Sequence, residues 1–310
     1  GLVGSEMCIR DRRNGDWFVE EIPLADLAKQ YGTPLYVYSK KALTEAYQAY
    51  DKACVDIKGK RRARVHYAMK ANSNLAVIDC FKQLGAGFDL VSGGELARAL
   101  AIGANPKSLV FAGVGKSAAE IAAALKAGVK CINVESIAEL RKINRVATEL
   151  QIRAPISLRV NPDVDAQTHP YISTGLKGNK FGIAYHEVLK TYREASQLPQ
   201  IDVVGIDCHI GSQITTTAPY LDALDKVLDL VEHLKREGII IHHLDLGGGL
   251  GISYSDEMPP DITEFTNTLL NRVAERGFGH LDVVLEPGRS LVGNAGVLLV
   301  TVEYLKPGVE

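Results

Sequence analysis

Residues 64–136 repeat one pattern four times: Arg64–Lys70 (RVHYAMK), Gly87–Ser92 (GFDLVS), Ser108–Gly113 (SLVFAG) and Cys131–Ser136 (CINVES). Each is a short β-rich run, and a longer helical stretch follows it. Outward from there the pattern continues as Ala154–Pro162 (APISLRVNP), Val203–Gly211 (VVGIDCHIG), Ile240–Gly249 (IIHHLDLGGG) and Leu281–Arg289 (LDVVLEPGR), eight runs in all. The first five begin about 23 residues apart, the length of one strand and one crossover helix. Parallel neighbours need such crossovers, so the alternation predicts a parallel sheet. The clearest helix is Pro219–Glu237, where Leu221, Leu224, Val227, Leu228, Val231 and Leu234 trace one apolar stripe. Thr217 is placed to cap it, Pro219 suits its first turn, Lys235 and Arg236 sit late, and Gly238 ends it. Eight units is the count that closes an α/β (β/α)8 TIM barrel, and a doubly wound open sheet is the rival that pattern alone leaves standing.

Two flanks fall outside the rhythm. Trp17–Lys40 holds a helical patch, Leu24–Tyr31, and an extended patch, Pro34–Tyr38. Gly296–Glu310 reads as an outgoing strand (VLLVTVEYL) that heads into a Lys-Pro-Gly turn and finds no partner. The expected organisation is therefore a non-native or disordered segment at 1–13, with no helical or strand periodicity. An N-terminal segment of a β domain at 14–40, a barrel at 41–293, and the start of a C-terminally truncated β-rich domain at 294–310 complete it.

The bulk numbers exclude some functions. With 46% hydrophobic and 23% charged residues, the chain has the composition of a soluble globular protein. A formal net charge of −2 without a basic block argues against nucleic acid or an anionic membrane as partner. The longest apolar runs are far too short to span a bilayer, and the first residues show no signal-peptide pattern. Cys8, Cys54, Cys80, Cys131 and Cys208 are scattered without a C-x-x-C pair, which predicts neither a disulfide framework nor a metal site and fits the cytoplasm.

In a barrel the site is built at the carboxyl ends of the strands. Those positions read Lys70, Asp89 with Ser92, Gly113, Glu135, Arg159 with Asn161, His209 with Ser212, Gly247–Gly249, and Glu286 with Gly288–Arg289, while the strand bodies read as aliphatic. Wet loops explain some of this polarity. They do not explain glycine-rich turns after both the seventh and eighth runs, where barrels commonly hold a phosphate on bare backbone N–H groups. A lysine at the mouth of a dry barrel is expected to have a lowered pKa and to serve as a nucleophilic amine, although most lysines merely snorkel. Phosphate site, lysine and barrel together point to pyridoxal phosphate. Glu286 is then placed to bond the pyridine nitrogen, and His209 to lie against the ring.

The ordered set YAMKAN (Tyr67–Asn72), FDLVSGGEL (Phe88–Leu96), HPYISTG (His169–Gly175), KFGI (Lys180–Ile183), CHIGSQ (Cys208–Gln213), DLGGGLG (Asp245–Gly251) and EPGRS (Glu286–Ser290) resembles the alanine-racemase-like barrel decarboxylases. Within them it resembles the diaminopimelate decarboxylase family, from about Val19 onward. The resemblance implies the barrel, pyridoxal 5'-phosphate, and decarboxylation of meso-2,6-diaminopimelate to L-lysine as the last step of lysine biosynthesis.

It also implies roles. Lys70 carries the cofactor and His209 stacks on its ring. Ser212, Gly248, Gly249 and Gly288 hold the phosphate. Glu286 binds the pyridinium, Arg289 the substrate carboxylate and the phosphate. Asp89 and Arg159 surround the lysine and the ring, and Ser173–Gly175 border the entrance. No metal is implied. Family members form homodimers in which a later Cys-Glu motif and a tyrosine reach the neighbouring site, so a chain lacking them is expected to be inactive alone. Barrel decarboxylases acting on ornithine, lysine or arginine, and a non-catalytic homologue, remain the competing readings.

Overall fold

The computed structural model describes residues 11–165 and 181–308. Its centre is a ring of parallel strands: β1 (Ala63–Ala68), β2 (Gly87–Leu90), β3 (Leu109–Phe111), β4 (Cys131–Val134), β5 (Ala154–Asn161), β6 (Ile201–Asp207), β7 (His243–Asp245) and β8 (Asp282–Leu285). Each pairs with the next, and Val283–Leu285 of β8 pair in parallel with Ala63–Val65 of β1. That last ladder closes the barrel and eliminates the open sheet. The strands are shorter than the sequence runs. Lys70 sits in a 3-10 turn, Met69–Ala71, beyond the end of β1 and not in the strand itself.

Three helices on the β2–β4 side start on the same local code, S-x-x-E. Ser92 accepts the Glu95 N–H at 3.2 Å, and the Glu95 carboxylate reaches back to the Val91 N–H at 2.7 Å. Ser136, Glu139 and Glu135 repeat this at 3.2 and 2.7 Å. Ser117 and Glu120 form a full capping box, and Glu120 also accepts the Gly93 N–H at 2.8 Å. Each such cap stabilises its helix by about 1 kcal/mol and fixes where the chain leaves the rim.

The long helix after β6 spans Ala218–Arg236. Leu224, Val227, Leu228, Val231 and Leu234 are buried against the barrel wall, whereas Leu221 is half-buried. Burying such side chains contributes about 1.5–3 kcal/mol each. The expected Thr217 cap is absent. Thr217 has helical backbone angles, φ −84° and ψ −23°, and an N-cap hydroxyl needs an extended backbone to reach the first free N–H groups. Gly238, at φ +79°, ends the helix as expected.

Facing side chains alternate along each strand. Tyr67 points outward onto Phe81, ring centroids 4.4 Å apart, so His66 points into the barrel. There the strand bodies are not aliphatic. His66, Asn133, Ser157 and His243 are buried in the interior. Gly87 makes room for His66, whose ring would lie 2.6 Å from an added Cβ, and Gly205 does the same for His243 at 3.0 Å.

The flanks form a small annex. Asp11–Arg13 pair antiparallel with Asp16–Phe18, so the last three residues of the segment expected to be non-native or disordered form a hairpin strand; residues 1–10 lie outside the described residues. The helix Leu24–Tyr31 is where the sequence places it. Gly296–Leu299 do find a partner, the strand Leu35–Tyr38, with Gly296 opposite Tyr38. The outgoing strand stops at Leu299 and leaves Val300–Gly308 outside any strand. Val19, Leu24, Leu27, Val37, Val297 and Leu299 form the annex's own apolar cluster.

Candidate active site

A cavity of about 540 Å³ opens at the carboxyl ends of the strands, and a second lobe of about 420 Å³ shares Lys70, His209, Ser212 and Glu286 with it. Register brings the acids and bases together. Ala68 of β1 lies opposite Asp89 of β2, and one turn later Lys70 Nζ stands 3.1 Å from Asp89 Oδ2. About half of the Lys70 side chain is open to the cavity, while that of Asp89 is fully buried. Burial works to lower the lysine, but the neighbouring Asp89 and Glu286 carboxyls outweigh it and hold the ammonium above its ordinary range. The lowered value expected from the sequence is therefore not what these two carboxyls produce. A dry surrounding destabilises an ammonium only when no counter-ion lies within it.

His209 and the glycine-rich turn are mutually fitted. Gly248 N–H donates to His209 Nδ1 at 3.2 Å. Burial first, then Lys70 and Arg159, hold this imidazole well below its ordinary value, so it is neutral. A Cβ on Gly247 would meet His209 Nδ1 at 2.7 Å. One on Gly248 would meet the Glu286 backbone oxygen at 2.0 Å, and one on Gly249 the Gly211 backbone oxygen at 2.3 Å. Gly247 and Gly249 also have positive φ. The glycines thus let the loops after β6, β7 and β8 interlock, a packing reason the sequence reading lacked. Gly249 and Gly288 line the cavity, and Gly248 spends its N–H on the histidine.

Arg289 closes one wall. Its Nε donates to Ser212 Oγ at 3.2 Å, and its guanidinium bonds the Tyr254 hydroxyl. Tyr254 was missed in the sequence, where only its position just after DLGGGLG signals it. Arg159 sits deeper, donating to Glu135 Oε1 at 2.7 Å and lying 4.8 Å from the Phe181 ring centroid. Glu135 Oε2 also accepts the Gly182 N–H at 2.8 Å, so it ties Arg159 to the start of the next segment. Among the described residues Arg159 makes its ion pair with Glu135, and it acts on Lys70 and Glu286 through its charge. Ser92 is spent as a helix cap. Ser173–Gly175 lie outside the described residues.

Glu286 stands at the floor, about 5% exposed, with Oε1 meeting no donor among the described residues. Burial first, then Asp245, Asp89 and Asp207, raise its carboxyl well above the usual range. A buried acceptor without a donor, below a cavity flanked by a lysine and phosphate-type loops, matches what a pyridine nitrogen requires; pyridoxal phosphate fits these residues. Asp207 and Asp245 were also missed, although a charged residue inside an otherwise apolar strand end (IDCH, LDLG) is a readable signal.

Residues 40–293 match the model of the pyridoxal-dependent decarboxylase, pyridoxal binding domain. A diaminopimelate decarboxylase of Vibrio cholerae is 53% identical over 295 residues, covering 95% of this chain and 69% of the relative. Among solved structures, a diaminopimelate decarboxylase from M. jannaschii in co-complex with L-lysine superposes with a TM-score of 0.88 at 39% identity, covering 96% of this chain and 70% of that one. SrLDC in complex with PLP and cadaverine is more distant, with a TM-score of 0.77 at 26% identity over 91% of this chain and 68% of that one.

Proposed function

Because the chain belongs to the pyridoxal-dependent decarboxylases, we propose that it removes CO2 from meso-2,6-diaminopimelate to give L-lysine, the closing step of lysine biosynthesis. The observation that carries this reading is the convergence of Lys70, His209, Glu286 and Arg289 on one cavity. It is joined by half-identity to diaminopimelate decarboxylases over nearly the whole chain. Bound there, pyridoxal 5'-phosphate supplies the electron sink for the bond to the departing carboxylate.

The protein's part is positioning and electrostatics. Lys70 Nζ is the amine that would hold the cofactor, and Asp89 keeps it aimed from 3.1 Å. Neutral His209 would lie against the ring without adding charge. Glu286 would accept from the ring nitrogen, and the backbone of Gly249 and Gly288 with the Ser212 hydroxyl would hold the phosphate, Gly248 bracing the turn. Arg289, braced by Ser212 and Tyr254, receives the substrate carboxylate and offers charge to the phosphate. Asp89 and Arg159 act on the lysine and ring from behind. We further propose the organisation read from the sequence: a cytoplasmic homodimer, with residues 41–293 as the cofactor barrel and the flanks contributing to a β domain. No helix among the described residues is long and apolar enough to cross a membrane.

The test uses protein from the complete gene. Expected are an absorbance band with pyridoxal phosphate that borohydride fixes at Lys70, and CO2 release from meso-diaminopimelate ahead of ornithine and lysine. A band that persists in Lys70→Ala refutes the lysine assignment. Release from ornithine alone moves the substrate.

A further inference from the structure

Below the mouth, three neighbouring strand ends each contribute an acid: Asp207 closes β6, Asp245 closes β7, and Glu286 follows β8. Their oxygens lie within 4.8 Å of one another, and all three side chains are buried. No donor among the described residues reaches Asp207 Oδ1, Asp245 Oδ2 or Glu286 Oε1. His243 Nε2, also buried, makes a long contact of 3.9 Å with Asp245 Oδ2. These are acceptors in need of protons, and Asp207 and Glu286 line the second lobe of the cavity.

The surrounding cations offset this only in part, Arg159 favouring the charge on Asp207 without outweighing burial and Asp245. Lys70 is committed to Asp89 at 3.1 Å and Arg159 to Glu135 at 2.7 Å, so each nearby cation already has its own carboxylate. His209 above is neutral, and burial keeps His66 below neutral too, its pKa pushed down to about 4. Three carboxylates this close in a low dielectric cannot all ionise. Asp245 is the member best able to keep its charge, because Gly247 N–H donates to its Oδ1 at 2.9 Å.

We propose that Asp207, Asp245 and Glu286 form one proton-holding unit. Glu286 waits as a neutral acid and hands its proton to the pyridine nitrogen when the cofactor binds, with Asp245 as the positioning residue that sets this state. The Glu286 O–H bond breaks, an N–H bond forms on the ring's lone pair, and the charge left on Glu286 faces the new cation. No solvent proton is consumed. The directions of the individual groups agree: burial and Asp245 raise Glu286, and burial and Asp245 raise Asp207. Burial also works to raise Asp245, but its hydrogen bonds and His243 outweigh that and hold it low. The proposal rests on the reading that Glu286 meets the ring nitrogen.

The test counts protons by calorimetry in buffers of differing ionisation enthalpy, above the pH at which the ring nitrogen titrates in water. Pyridoxal 5'-phosphate is compared with its 1-deaza analogue, which has C–H in place of the ring nitrogen. Both attach through the same aldehyde, so proton changes at Lys70 cancel in the difference. The expected difference is near zero protons in the wild type and about one proton taken up in Asp245→Asn. There the new amide donates to Glu286 and ionises it in advance, while the retained oxygen still serves Gly247. About one proton in the wild type, or no change in the variant, overturns the proposal. Infrared spectra assign the Glu286 band as the protonated-carboxyl band missing from Glu286→Gln, apart from any band of the likewise raised Asp207. In the wild type the Glu286 band should vanish with pyridoxal phosphate and survive with the analogue, and its survival with both overturns the proposal. Glu286→Gln separates the two levels. If it leaves the preference for pyridoxal phosphate over the analogue unchanged, the placement of Glu286 fails. If the preference falls but the proton counts disagree, the proton-holding unit alone fails.

Discussion

The seam between the loops after β7 and β8 offers the sharpest test of how the site is held. In Gly248→Ala the new Cβ would sit 2.0 Å from the Glu286 backbone oxygen, where ordinary contact begins near 3.4 Å, so the seam must open by about 1.4 Å. Neither side can rotate away, because the obstacle is backbone. The seam is pinned by Glu286 N–H to Gly247 O at 2.7 Å, Leu246 N–H to Val284 O at 3.0 Å and Gly248 N–H to His209 Nδ1 at 3.2 Å. Overpacking of this kind costs about 1–3 kcal/mol, and losing the bond to His209 about 1 kcal/mol more. Alanine restricts the unfolded chain and returns up to about 1 kcal/mol. The net expectation is a loss of about 2 kcal/mol, read from denaturant midpoints of the cofactor-free protein. Because Glu286 and His209 both shift, pyridoxal phosphate affinity should also fall at least about tenfold, the equivalent of about 1.4 kcal/mol. Gly94→Ala, in a helix with Arg98 at 3.5 Å as its nearest obstacle, is the control and should be neutral or slightly stabilising. A Gly248→Ala protein that unfolds and binds cofactor like wild type would refute the rigid seam.

Asp89→Asn removes the counter-ion that holds Lys70 above its ordinary range, so borohydride-fixable attachment should extend to lower pH in the variant; an unchanged pH profile would show that Asp89 does not govern the lysine. Glu135→Ala strands the buried Arg159 and leaves Gly182 N–H without its acceptor, and should cost about 3–5 kcal/mol in chemical denaturation. The Glu286 carboxyl is raised in the folded, cofactor-free protein, so its contribution is full below about 4.5 and is lost as pH rises toward the folded value. Glu286→Gln should remove that part of the downward slope of stability with pH, and an identical slope in the variant would contradict the assignment.

The eight strands were legible because each run is bounded by glycine, proline or polar residues, and the same boundaries gathered Lys70, Asp89, His209, Ser212, Glu286 and Arg289 at one rim. What stayed hidden depends on register. The raised lysine follows from the pairing of Ala68 with Asp89, which spacing along the chain does not contain. The polar interior formed by His66, Asn133 and His243 emerges only when alternation in several strands is referred to one closed ring. The partner of Gly296–Leu299 lies some 260 residues earlier in the chain, at Leu35–Tyr38, beyond any local signal. Thr217 looked like a cap by type and failed by backbone angle.

The S-x-x-E clamps give the two sides of the rim different freedoms to change. On the β2–β4 side the helix starts at Ser92 and Ser136 are locked within five consecutive residues each, and the clamp at Ser117 adds one bond to Gly93. Grafting or lengthening a loop there keeps the helix start intact, provided it spares the ties of Glu135 to Arg159 and Gly182 and of Lys116 to Glu139. On the β6–β8 side each loop occupies the space its neighbour left vacant, so no loop there can be altered alone. Diversification of this scaffold, by selection or by engineering, should therefore proceed along one half of the barrel while the other half stays fixed as a single inherited block.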